Sequence, residues 1–226
     1  MAKNQRDFFK KKNEWSEIKD TLLRCYLPQY FQKLLVSGKP IFYIDCFAGK
    51  GKFDDGNDGS PLIAMQIINE RLGMSRISRK NNAIVPCFIE LNHAADLEQN
   101  LMLHPYQYGT PQVVDGKFED NIRGLLKDKR GYNVFLYIDP YGIQALDSQL
   151  FDEIGTYGFR SFEMLINFNS FGFFRDACRV MKVDISQDDA LMGLDDLVEY
   201  EPTTVTACAD CRAQFGKICC CKVYLE

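Results

Sequence analysis

The sequence has no hydrophobic run long enough to cross a membrane or to act as a secretory leader. No stretch approaches the roughly 18 uninterrupted apolar residues that a membrane-spanning helix needs. The N-terminal stretch MAKNQRDFFKKKNEW is too polar for the apolar region of a signal peptide. We therefore expect a cytoplasmic protein with no membrane partner.

Histidine is scarce, and this removes the commonest arrangements for metal binding and nucleophilic catalysis. The chain has 2 His, His93 and His104, and neither has a partner at metal-ligand spacing or in a Ser-His-Asp or Cys-His pattern. His93 opens a predicted helix, so we expect it to be a cap or a surface residue. No metal ligand is predicted from either histidine.

The 9 cysteines do not form an evident disulfide framework. Cys25, Cys46, Cys87 and Cys178 stand singly among apolar neighbours, which is typical of buried free thiols. The remaining cysteines crowd into the C-terminal stretch CADCRAQFGKICCCKVYLE. Zinc sites use two separated pairs of ligands, and three adjacent cysteines cannot all reach one ion comfortably, so a structural metal is the less favoured interpretation.

Two familiar phosphate-binding motifs are also missing. The glycine turn at IFYIDCFAGKG is followed by Lys52 and Phe53 and not by the Lys-Ser/Thr pair of a P-loop, and the chain has no G-x-G-x-x-G. The absence of both motifs argues against a turn that holds the phosphates of a nucleotide. The question is what else the turn could hold.

Short apolar runs alternate with amphipathic segments along most of the chain. Residues 14–35 repeat apolar side chains at helical spacing, with Pro28 either kinking one helix or starting a second. Ser60 and Pro61 are expected to start another helix, with Ser60 as its N-cap. The predicted strands cover residues 41–45, 83–91, 112–114, 133–142 and 162–170, and the intervening helices cover about 60–72, 93–103, 119–127 and 146–158.

This alternation predicts an α/β fold. Nearly continuous apolar strands separated by helices indicate a mostly parallel, Rossmann-like sheet with helices on both faces, preceded by an N-terminal helical segment. We divide the chain into a helical extension (1–40), a Rossmann-like domain (41–182), and an acidic, then cysteine-rich C-terminal segment (183–226). The last segment loses the periodic pattern, so we expect an atypical or shortened end to the sheet.

The first strand ends in an acid followed by a tight turn. In a doubly wound sheet, ligands bind beyond the carboxyl ends of the strands, so Asp45 lies at the expected place. A charged ligand without phosphate suits an acid there, and S-adenosylmethionine is such a ligand, its amino end meeting Asp45 directly or through water. An ordinary tight turn is the alternative. The turn residues predicted to line the ligand are Phe47, Ala48, Gly49 and Gly51.

Two further strands end in acids. Glu90 follows the second strand, where an acid can accept hydrogen bonds from ribose hydroxyls; a surface residue at a helix start is the alternative. The fourth strand delivers Asp139, Pro140 and Tyr141. Asp139 could accept hydrogen bonds from an exocyclic amine while Tyr141 stacks on a flipped or single-stranded base, although a simple Pro-containing turn has the same residues.

These motifs together resemble the three-Cys-motif partner (TcmP) family, which is similar in fold to S-adenosylmethionine-dependent methyltransferases. The resemblance covers residues 13–180. It implies a cofactor site at Asp45 and the glycine turn, a ribose contact at Glu90, and a reaction centre at Asp139–Tyr141. It also implies a three-Cys-motif protein as a partner. The motifs in chain order are DCFAGKG (45–51), GSP (59–61), FIE (88–90), YIDPYG (137–142) and LINF (165–168).

One part of the expected cofactor site departs from the methyltransferase pattern. After the third strand, Lys117 stands where methyltransferases often carry an acid for the adenine amine. Asp115 or Glu119 could substitute, or the adenine could be held by the backbone and ring of Phe118. The sequence D-P-Y also has one proline fewer than the D-P-P-Y of amino-methylating enzymes, which leaves the target amine open.

The charge distribution allows two interpretations of the N-terminal helix. Its basic residues could approach a nucleic-acid backbone or could simply form a solvated helix face. They are Lys10, Lys11, Lys12, Lys19 and Arg24. We expect an S-adenosylmethionine-dependent methyltransferase of a nucleic-acid base amine; the alternative is a non-catalytic partner protein that keeps the fold.

Overall fold

The computed structural model confirms the predicted α/β class. It describes residues 9–74, 83–104, 106–108, 110–140, 146–167 and 221–223. Within these ranges, no helix has both the length and the apolar content needed to cross a membrane. The helices are α1 (Glu14–Leu35), α2 (Ser60–Met74), α3 (Ala94–Met102), α4 (Phe118–Leu126) and α5 (Ser148–Gly155). The strands are β1 (Ile41–Asp45), β2 (Ile84–Glu90), β3 (Gln112–Asp115), β4 (Asn133–Ile138), β5 (Ser161–Ile166) and β6 (Cys221–Val223).

The strands form one sheet in the order β3-β2-β1-β4-β5-β6. The first five are parallel, and β6 pairs antiparallel with β5. The order reverses at β1, whose neighbours β2 and β4 come from the two halves of the fold. Side chains at the carboxyl ends of these three strands therefore surround the crevice where Rossmann-like sheets bind ligands.

Alternate residues of the buried strands pack on opposite faces of the sheet. Tyr43 and Phe135 belong to one hydrophobic core, which α1, α2 and α3 cover. Ile44 and Leu136 belong to a second core, which α4 and α5 cover. Because a β-strand turns its side chains to alternate faces, strands covered on both sides are apolar at most positions, as β1, β2 and β4 are apart from Asp45, Glu90 and Asn133.

Helix α1 is part of the first core. It runs through Pro28 as one helix, and it buries Leu23, Leu27 and Phe31 against the sheet. Its start is fixed by Asn13, whose Oδ1 accepts a hydrogen bond from the Ser16 backbone N–H at 2.8 Å. The helix therefore holds a fixed position relative to the strand ends.

Some sequence expectations were wrong in detail. Cys25 is exposed, because it lies on the outer side of α1, whereas Cys46 and Cys87 are buried and free as expected. Burial raises the pKa of Cys87 to about 12. Ser60 is the first residue of α2 and not its N-cap, since the carbonyl of Gly59 accepts the hydrogen bond of the Ile63 N–H. Cys178 and Tyr141, and nearly all of residues 183–226, lie outside the described residues.

We expect truncation of Leu27 to destabilise the whole protein, because its side chain is fully buried between α1 and the sheet. Leu27→Ala should lower the free energy of unfolding by about 2–5 kcal/mol, measured by urea denaturation. Leu103→Ala removes the same atoms from an exposed side chain and is the matched control. Equal small effects of the two substitutions would contradict a core role for α1.

Candidate functional site

The turn after β1 is tied to both neighbouring strands. The N–H of Cys46 donates to the carbonyl of Tyr137 on β4 at 2.9 Å, and the N–H of Ala48 donates to that of Ile89 on β2 at 3.0 Å. The chain then bends sharply at two glycines with positive φ, Gly49 at 67° and Gly51 at 78°. Such angles strain other residues, so the turn requires glycine at these positions.

Close packing also explains the second glycine. A Cβ on Gly51 would lie only 2.8 Å from Cδ1 of Leu97, and the carbonyl of Gly51 accepts the Gly59 N–H at 2.7 Å. The polar loop between these glycines is therefore closed at its base and leads directly into α2. The short sequence GSP at residues 59–61 thus returns the chain to the end of β1.

Asp45 is completely buried at the end of β1. Its Oδ2 accepts a hydrogen bond from the Ser60 hydroxyl at 2.6 Å, and its Oδ1 accepts one from the Phe47 N–H at 3.2 Å. Burial, with a smaller contribution from the nearby charges of Asp139 and Glu90, raises the pKa of Asp45 to about 7, although the two hydrogen bonds oppose the rise. Asp45 can therefore change its charge near neutral pH.

Glu90 holds the glycine turn from the neighbouring strand. Its Oε2 accepts a hydrogen bond from the Gly49 N–H at 2.7 Å, and its Oε1 accepts from the N–H groups of Asn92 and His93 at 2.9 and 3.1 Å. A carboxylate offers about four acceptor positions, so roughly one remains for a ligand. Glu90 can thus serve as scaffold and as a single hydrogen-bond acceptor at the same time.

Asp139 lies across the switch in strand order, after β4. Both of its carboxylate oxygens accept hydrogen bonds from Lys19 Nζ of α1, each at 2.8 Å, and the two side chains are about a quarter exposed. The following Pro140 is half-buried, whereas Tyr141 lies outside the described residues. The structure thus brings Asp45, Glu90 and Asp139 to one edge and adds Lys19 to them.

Of the residues expected around an adenine, Phe118 is buried, whereas Asp115 and Lys117 are exposed. The ring of Phe118 is 2% exposed and packs against the ring of Phe47 in the second core, with ring centres 5.5 Å apart. Phe118 can therefore offer a ligand its backbone more readily than its ring. Lys117 and Asp115 are exposed on the same loop, where the Gly116 N–H donates to the carbonyl of Glu90 at 3.0 Å.

Several site residues escaped sequence reasoning. Tyr137, at the end of β4, is buried, and its hydroxyl accepts a hydrogen bond from Asn167 Nδ2 at 2.8 Å. Burial, together with the charges of Asp139 and Asp45, raises the pKa of Tyr137 well above its usual value. Both residues lie in strand-end motifs, YIDPYG and LINF, so their position at a strand end was the signal that could have identified them.

Two N-terminal residues, Lys19 and Phe9, also contact the strand ends, and the sequence indicated this less clearly. Lys19 belonged to a basic group that suggested either nucleic-acid binding or a solvated face, but it contacts Asp139 instead. Phe9 precedes α1, is buried, and lies with its ring 3.3 Å from the position that a Cβ on Gly49 would take. Neither contact can be read from spacing, because each joins residues far apart in the chain.

The two histidines do not form a metal site in the described part of the chain. His93 is the N-cap of α3 without a side-chain capping bond, and its Nδ1 lies 3.4 Å from Asp96. His104 Nδ1 contacts the carbonyl of Asn100 at 3.0 Å. Among the residues that the structure describes, no three His, Cys, Asp or Glu side chains are grouped so that they could hold a metal ion.

Comparisons with known proteins leave the fold and the site geometry as the basis for assigning a function. No family model, curated protein or solved structure matches the chain.

We expect the burial of Asp45 to make the protein less stable as pH rises. Between pH 4 and 7 the unfolded chain has lost the Asp45 proton while the folded state keeps it, so this group favours unfolding increasingly over that window. Asp45→Asn removes the titration. Its stability relative to the unsubstituted protein should therefore increase by up to about 1.4 kcal/mol per pH unit and level off above pH 7.

Urea denaturation at a series of pH values measures this difference. Asp152→Asn, an exposed carboxyl on α5, is the matched control and should give a nearly constant offset. A stability difference between Asp45→Asn and the unsubstituted protein that stays flat from pH 4 to 8 would contradict the raised pKa.

Proposed function

We propose that the strand-end edge binds S-adenosylmethionine and that the protein transfers its methyl group to an amine of a nucleic-acid base. One observation carries the proposal: the buried carboxylates of Asp45 and Glu90 end neighbouring parallel strands and both support a glycine turn at the switch in strand order. Buried charges are costly to keep, and their clustering at a ligand-binding edge is typical of functional sites. The fold alone does not carry the activity.

The acidic side chains of this edge favour a ligand that carries a positive charge and a ribose over a ligand that carries phosphate groups. Asp45, Glu90 and Asp139 would repel phosphate groups, whereas Asp45 can oppose the positive amino end of the cofactor. The remaining acceptor position of Glu90 suits one ribose hydroxyl. The turn residues Phe47, Ala48, Gly49 and Gly51 would line the methionine portion, and the backbone of Phe118 would lie near the adenine.

The second half of the site would handle the acceptor. The cofactor supplies a methyl group already activated by its positive sulfur, so the protein mainly has to align the acceptor amine and accommodate its proton. Asp139 would accept a hydrogen bond from that amine, with Pro140 fixing the turn and Tyr141 stacking on the base. Lys19 must share Asp139 with the amine or move aside, since it contacts both carboxylate oxygens.

That last contact also favours a second candidate function. If Lys19 keeps Asp139 fully engaged, the protein would retain the methyltransferase-like fold as a non-catalytic partner, for which a three-Cys-motif protein is the proposed companion. Both oxygens of Asp139 are bonded within the chain, which is consistent with an ion pair that only joins α1 to β4. The two candidate functions share one fold and differ in whether the protein transfers a methyl group.

Calorimetric titration with S-adenosylhomocysteine tests the cofactor site. We expect saturable binding that Asp45→Asn weakens about 10-fold or more, because the substitution removes the charge that opposes the ligand's amino group. Asp152→Asn makes the same chemical change at an exposed position on α5. This variant should bind S-adenosylhomocysteine with the affinity of the unsubstituted protein. Absence of binding by the folded protein, both with Phe9 present and with Phe9 truncated to alanine, would contradict the proposal.

Methyl transfer to single-stranded oligonucleotides, followed with a radiolabelled methyl donor, separates the two candidate functions. The enzyme should label the acceptor, and Asp139→Asn should lower the rate by about 10²-fold or more while leaving S-adenosylhomocysteine affinity nearly unchanged. Cofactor binding without any transfer, across oligonucleotides containing all four bases, would favour the non-catalytic partner.

A further inference from the structure

A short segment ahead of α1 covers the glycine turn. We call residues Phe9–Lys12 the strap. The ring of Phe9 is 6% exposed, and its Cε1 lies 3.3 Å from the position of a Cβ on Gly49. The ring also meets the ring of His93 edge-on, with centres 5.1 Å apart, and Lys50 Nζ lies 5.0 Å from its centre. Phe9 therefore lies between the turn after β1 and the turn after β2.

The site that Phe9 occupies is the one that the proposed cofactor needs. Gly49 donates its N–H to Glu90, and so does His93, so the phenyl ring contacts two of the three residues that donate to the Glu90 carboxylate. A ribose that reached the free acceptor position of Glu90 would lie against the same glycine. Interiors are close-packed, so the ring and a ligand cannot share this space.

The strap is held by contacts to residues outside the sheet. The carbonyl of Phe9 accepts a hydrogen bond from the Asp54 N–H at 2.8 Å, and the N–H of Lys12 donates to Asp55 Oδ2 at 2.9 Å. Lys12 Nζ also contacts the carbonyl of Asp58 and the carboxylate of Asp20. These partners lie in the polar loop or on α1. Asn13, in extended conformation at the N-cap of α1, ends the strap at a fixed helix.

We propose that the strap is an intramolecular competitor for the cofactor site, so that binding of S-adenosylmethionine or S-adenosylhomocysteine requires Phe9 to leave the glycine turn. This inference rests on the proposed function. When only a fraction of molecules has an open site, the apparent dissociation constant is the intrinsic one divided by that fraction. Loosening the strap must therefore tighten binding.

Two substitutions test the competition by different routes. Phe9→Ala removes the group that fills the site, and Lys12→Met loosens the strap from its anchors without touching Gly49 or Glu90. Calorimetric titration with S-adenosylhomocysteine should give about 10-fold tighter binding for Phe9→Ala and a smaller gain for Lys12→Met. Phe159→Ala truncates a partly buried phenyl ring that packs against the second core and is the matched control, with unchanged affinity expected. Urea denaturation of each variant verifies that it is folded.

The outcomes separate this inference from the proposed function. Tighter binding by both strap variants supports the competition. If the unsubstituted protein binds S-adenosylhomocysteine and Phe9→Ala binds it equally or more weakly, the competition is overturned. The proposal of a cofactor site is then unaffected. Absence of binding in the unsubstituted protein and in both folded strap variants overturns the two together.

Discussion

Glu90 joins three strand ends through one residue. Its carboxylate accepts hydrogen bonds from Gly49 in the turn after β1 and from Asn92 and His93 in the turn after β2, while its own carbonyl accepts one from Gly116 in the turn after β3. Each of these N–H groups would otherwise need another partner or water, because a buried donor left unpaired costs free energy. The turns after β1 and β2 therefore depend on the side chain of Glu90, and the turn after β3 depends on its backbone carbonyl.

Asp45 gives the same edge its electrostatic character. Two hydrogen bonds do not fully offset the cost of burying its charge, so the carboxyl group keeps its proton to a much higher pH than an exposed aspartic acid does. The protein thus places a weakly acidic group behind its glycine turn and, beside it, a carboxylate that accepts three backbone hydrogen bonds.

The sequence was sufficient to predict the architecture and much of the edge. Alternation of nearly continuous apolar runs with amphipathic segments predicted the parallel sheet, because both faces of its central strands are covered and few of their positions can be polar. Asp45, Glu90 and Asp139 could be predicted to lie together, since parallel strands bring their carboxyl ends to one edge. These predictions depend on periodicity and on local order along the chain.

Contacts between distant segments could not be predicted in this way. Ser60 follows the pattern of a helix cap, yet its hydroxyl bonds to Asp45, fifteen residues earlier in the chain. Lys19 and Phe9 precede the first strand, and nothing in their neighbours indicates that one meets Asp139 and the other Gly49. Such partners are decided by how α1 packs across the sheet, which is a property of the tertiary fold and not of any local motif.

The position of the strap in the chain has a consequence for synthesis. Phe9 leaves the ribosome before the residues that receive it, since Gly49, Phe53 and His93 are all made later. Chains are built from the N-terminus, so the turn and the second strand must form before Phe9 has anywhere to pack. A newly made molecule therefore cannot place Phe9 in its final position until synthesis has passed His93, so the strap is the first part of the site to be made and among the last to be seated.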